Sequence, residues 1–131
     1  MPSDTTPQTA VPQSVAALSA GPTTPKQRID AVTRYWLDVM GNYYRDMAAT
    51  TTPAEARAVE DNYNAAERLY LDAIECGLKG TDPAADDACA ALHAAARALA
   101  DARARVDGIS VILASLTLCT EAATSLVRSA A

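Results

Sequence analysis

Three proline-led punctuation marks divide this chain more firmly than any run of apolar residues. Thr24-Pro25-Lys26-Gln27 and Thr52-Pro53-Ala54-Glu55 each put a hydroxyl at an N-cap position, proline first in the helix, and Gln or Glu three residues after the cap. That is the pattern of a capping box. Asp82-Pro83 repeats it with a carboxylate cap, and Asp86 and Asp87 follow where negative charge suits the positive end of a helix dipole. Gly80, just before, suits a helix C-terminus. These marks predict helices over about 25–49 and 53–79, and a third element starting at 83.

The apolar spacing agrees with the punctuation. Ile29, Val32, Trp36, Val39 and Tyr43 step by three and four, with Leu37, Met40, Tyr44 and Met47 widening the stripe. Val59, Tyr63, Ala66, Tyr70 and Ala73 do the same in the second helix. From Ala88 a longer pattern runs through Leu92, Ala95, Leu99, Ala102, Val106, Ile109, Leu113, Leu116, Thr120, Ala123 and Val127, and its phase passes straight across Asp107-Gly108.

Two architectures therefore compete within an all-α fold. A turn at Asp107-Gly108 gives an antiparallel four-helix bundle; its absence gives three helices, the last about 70 Å long at 1.5 Å per residue. The unbroken phase and the missing Thr-Pro or Asp-Pro start favour the long, kinked helix. Against it stand an interior glycine, costing about 1 kcal/mol, and Asp107, a poor helix former. All six aromatic residues (Tyr35, Trp36, Tyr43, Tyr44, Tyr63 and Tyr70) precede residue 83, and the following segment is dominated by alanine. Large side chains facing small ones suggest that the aromatic hairpin clamps the alanine-rich helix.

Residues 1–24 are Ser, Thr, Pro, Gln and small apolar residues with one charge, Asp4, and read as a disordered tail before a single domain over 25–131. The 131-residue chain carries a formal charge of -5, and its 11 Lys and Arg are dispersed, which argues against a nucleic-acid binder. The longest apolar run, Ile109 to Cys119, is short for a membrane span. No signal-peptide pattern opens the chain, and Cys76, Cys89 and Cys119 form no disulfide framework, so the expected location is cytoplasmic, with leaderless export compatible.

Chemistry has few places to sit. Asp72 and Cys76, and Cys89 and His93, form two i, i+4 pairs placed symmetrically about the 78–83 connection, so an antiparallel hairpin could gather them around zinc. Two buried cysteines and a solvated His93, on a face continuing through Arg97, Asp101 and Arg105, explain the same residues without a metal. No cofactor or catalytic residue is assigned and no enzyme is expected: His93 is the single histidine, and phosphate-loop, dinucleotide and HExxH patterns are all missing.

Segment 108–131 has only Glu121 and Arg128 as charges and is apolar over a wide arc. Such a helix must be covered on more than one side. The expected interaction surface is Val106, Ile109, Val111, Ile112, Leu113, Leu116, Leu118 and Leu126, used by a second copy or a partner helix. The expected class is a non-enzymatic interaction module: a secretion-system component or chaperone, or an inhibitor or immunity protein. The alternative is a small-ligand or metal sensor built in the bundle interior. The ending, from Ser115-Leu116-Thr117 to Ser125-Leu126-Val127-Arg128-Ser129, resembles the C-terminal helix of type III secretion inner-rod subunits, whereas the two aromatic-bearing helices upstream depart from that family. The resemblance implies a secreted subunit with a disordered start and supplies no site residues.

Overall fold

The computed structural model describes residues 21–131, and within them the chain is all-α. Four helices follow one another: α1 (Pro25–Ala49), α2 (Pro53–Cys76), α3 (Pro83–Ala104) and α4 (Ile109–Ala130). The three proline-led starts fall where the sequence put them. At α1 the capping box is complete: the Thr24 hydroxyl accepts from the Gln27 backbone N–H, and the Gln27 side chain accepts from the Thr24 N–H. At α2 it is only half formed. Thr52 accepts from Glu55 N–H, but the Glu55 carboxylate reaches one residue further back, to the Thr51 N–H and hydroxyl. Asp82 caps α3 through the Ala84 N–H.

The long C-terminal helix is not what forms. After Ala104 the Val106 N–H bonds to the Arg103 carbonyl and the Asp107 N–H to the Ala102 carbonyl, the paired bonds of a Schellman stop. Val106 takes the left-handed conformation, φ 56°, that such a stop requires. The sequence hid this because the left-handed position holds valine, while the glycine that usually marks it comes two residues later, as the N-cap of α4.

The apparent phase continuity across the turn was misleading as well. In α4 the buried residues are Ile112, Ser115, Leu116, Cys119, Ala123, Leu126 and Ala130, one position round from the expected stripe. Ile109, Leu113 and Val127 lie on its half-buried flank. Helix α2 also ends earlier than expected, at Cys76, with Gly77 left-handed as its C-cap. Gly80 has a different job: its N–H donates to the Ala130 carbonyl, and a Cβ there would lie 2.8 Å from that oxygen.

Packing defines the order of the helices around the bundle as α1, α2, α4, α3. The connection of residues 77–82 thus crosses the end of the bundle diagonally, plugging it with the fully buried Leu78. Among the described residues α2 and α3 do not pack on each other. The expected clamp of aromatic hairpin on alanine-rich helix is corrected accordingly. Helix α3 packs mainly on α4, and the aromatic rings pack on one another: Trp36 lies 5.2 Å from Tyr63 and 6.4 Å from Tyr70, and Tyr43 4.6 Å from Tyr63, between ring centroids. Tyr35, apart from that ladder, crosses the core. Its hydroxyl meets the Leu116 carbonyl at 3.0 Å and the Thr120 hydroxyl, which donates to Asn62 at 2.7 Å. This polar thread ties α1, α4 and α2 together.

The expected tail falls mostly on residues 1–20, outside the described residues. At its inner boundary, Thr23 is fixed by its N–H and hydroxyl to the Asp86 carboxylate. By length and composition α4 is long and apolar enough to cross a bilayer, with mean hydropathy 1.6; the core helix of a bundle meets the same description.

Candidate functional site

Six of the eight large apolar side chains exposed among the described residues lie on two opposite sides of the bundle; Val106, in the turn after α3, and Val111, at the start of α4, line neither. One side is the outer face of α1 and α2. Leu37, Met40 and Tyr44 recur at helical spacing on α1, beside the Trp36 and Tyr43 rings that face α2, and all three are exposed, Tyr44 by 85%. Ile74 stands one turn beyond Tyr70 on α2 with Leu71 beside it, and both are more than half exposed. These five side chains project from the aromatic ladder as large knobs. The surface expectation had placed none of them, although Leu37, Met40 and Tyr44 were visible as an apolar stripe wider than a core needs.

The other side is a shallow groove of about 810 Å³ between α3 and α4. Its floor is alanine (Ala84, Ala91, Ala94 and Ala98 among them) and its apolar wall is Leu118, 55% exposed. Asp87 and Glu121 stand at its margin. Small residues repeated along α3 leave holes in relief where α1 and α2 present knobs.

The eight residues expected to form the interaction surface divide. Val106, Val111 and Leu118 are exposed, Val106 by 81%. Ile109 and Leu113 are half-buried against the core. Ile112, Leu116 and Leu126 are core residues and unavailable to a partner. The reason is the rotated phase of α4: its wide apolar arc is largely covered by α2 on one flank and α3 on the other.

The residues weighed as a zinc site do not converge. Asp72 and Cys76 are on α2, Cys89 and His93 on α3, and these helices are diagonal across the bundle rather than hairpin partners. No group of three His, Cys, Asp or Glu suited to a metal occurs among the described residues. Cys76 is exposed, and Cys89 and Cys119 are buried. Burial pushes the Cys89 thiol up and, with the nearby Asp38 charge, pushes Cys119 up to about 12, so neither is a ready nucleophile or ligand.

Helices α1 and α3 meet mainly through two arginine clasps. At one end the Arg28 guanidinium donates to the Leu78 and Gly80 carbonyls at 2.9 and 2.7 Å and to Asp86 at 3.1 Å. At the other, Arg103 takes Asp46 with two bonds, at 2.8 and 3.0 Å, and Asp38 with two more, at 3.2 and 3.0 Å. Such forked pairing fixes direction as well as distance. The fold and its surfaces together define a small helical bundle that exposes apolar side chains on two opposite faces among the described residues. No family model matches the chain, and no curated protein or solved structure matches it.

Proposed function

We propose that this protein is a helical interaction module that assembles head to tail, the knobs on α1 and α2 of one copy seating in the alanine groove between α3 and α4 of the next. The supporting observation is the relief itself: large exposed apolar side chains on one face, and a groove of small ones on the opposite face. A contact between two different faces is heterologous, so it propagates into a chain of copies unless the rotation closes a ring. Burying such side chains is worth about 1.5–3 kcal/mol each when complete, and a few of them at the centre of an interface can carry it. The module needs no catalytic step, and the secretion-component, chaperone and inhibitor readings remain alternatives within the class.

Light scattering coupled to size-exclusion chromatography tests the reading. The wild-type mass should grow with concentration. Leu118→Asp blocks the groove and Met40→Asp blocks the knobs, so each alone should be a monomer with helicity intact. An equimolar mixture of the two retains one competent face of each kind and should form a pair and nothing larger. A wild type that stays monomeric throughout the series overturns the proposal, as does dimerisation of either variant alone, which indicates a symmetric contact.

A further inference from the structure

Between the two arginine clasps the α1–α3 edge opens, and it is the most loosely packed of the four edges of the bundle. A cleft of about 390 Å³ lies there. Its inner surface is apolar, with Leu92, Ala96 and Ala100 of α3 facing α1. Its mouth is basic: Arg34 comes from α1, His93 and Arg97 from α3. Neither Arg34 nor Arg97 enters an ion pair or side-chain hydrogen bond among the described residues. The single carboxylate lining the cleft, Asp38, is already held by Arg103. The chain is acidic overall, yet two guanidinium groups without an ion-pair partner among the described residues line this cleft over an apolar floor.

We propose that this cleft binds an amphipathic organic anion, its carboxylate or similar head held between Arg34 and Arg97 and its hydrocarbon body lying on Leu92, Ala96 and Ala100. The chemistry follows from the lining. Guanidinium groups match planar oxyanions by forked hydrogen bonds, and an open cleft of this size with an apolar floor and a few converging polar groups suits a small ligand. The clasps at either end keep α1 and α3 apart without filling the middle, so the site is held open by the fold. His93 and Arg97 also line a second hollow, which extends past Cys89 and Ala90 towards Gly21 and Thr23.

The test uses octanoate as the probe and 1-octanol as its uncharged counterpart, followed by amide chemical shifts of the full-length chain carrying Leu118→Asp. That substitution lies on α4, in the groove on the far side of α3 from the cleft, and keeps the outcome independent of assembly. Octanoate should shift the amides around Ala31, Ala96, Arg97 and Ala100 saturably. Octanol should bind at least tenfold more weakly, and so should octanoate to a chain also carrying Arg34→Gln and Arg97→Gln. Both arginines are exposed, so this variant keeps the fold, which the unchanged remainder of the spectrum verifies. Equal binding of octanol and octanoate overturns the proposal. So do shifts confined to the α3–α4 groove, an unaltered affinity in the double variant, or no saturable shift at all.

Discussion

The Arg28 guanidinium is buried where the start of α1, the diagonal connection and the first turn of α3 meet, and it satisfies groups from all three. In sequence it is one more charged residue in the first turn of a helix; nothing local marks it as interior. Removing it strands the buried Leu78 carbonyl and takes a charged partner from the part-buried Gly80 carbonyl and Asp86 carboxylate. Arg28→Ala should therefore cost about 3 kcal/mol by chemical denaturation, and Arg28→Lys should recover only part, since a single ammonium cannot reproduce the fork. The cysteines provide a second test at this scale. Cys76 should react with a chromogenic disulfide reagent at the rate of an ordinary surface thiol. Cys89 and Cys119 should wait for unfolding, so the native protein should titrate with one fast thiol and the denatured protein with three.

At the scale of the helices, the stop between α3 and α4 is the clearest case of geometry prevailing over sequence signals. A β-branched residue at positive φ is strained by about 1–2 kcal/mol, yet Val106 stays there because the Schellman bonds and the packing of both helices fix the turn. Val106→Gly should raise stability by about 1 kcal/mol in thermal or chemical unfolding, because the exposed valine side chain contributes little burial to lose. In α1 the converse substitution applies. Gly41 lies in the helix interior with open space where a Cβ would go, so Gly41→Ala should stabilise by about 0.5–1 kcal/mol. The same change at Gly80 should destabilise, because the Ala130 backbone occupies the space.

For the whole molecule, the pH range of stability follows from which groups the fold perturbs. Hydrogen bonds from the Thr23 hydroxyl and N–H, and then from Arg28, hold Asp86 below the usual carboxylate range, and the Thr51 N–H and hydroxyl do the same for Glu55. A lowered folded value contributes stability that is present above the unfolded value of about 4 and is lost as pH falls through the folded one. Stability should thus fall below about pH 4, and Asp86→Asn should flatten that fall. Cys119 works at the other end, raised by burial from 9.0 to about 12, so it contributes stability that drains away as pH rises through that interval. Denaturation midpoints measured from pH 2 to pH 11 check both limbs.

The all-α class, the three proline-led helix starts and the core stripe of α3 were legible in the sequence, because capping and helical periodicity are local and each residue's partner lies within four positions. Tertiary structure alone decided the rest. A valine serves as the left-handed stop, the core face of α4 is rotated from its apparent phase, and a diagonal connection separates Asp72 and Cys76 from Cys89 and His93. The same topology brings Arg34 and Arg97 to one cleft and puts the knobs and the holes on opposite sides of the molecule. Periodicity fixes which side of a helix is apolar, but which helix covers that side depends on contacts between residues far apart in the chain, and no local pattern encodes those.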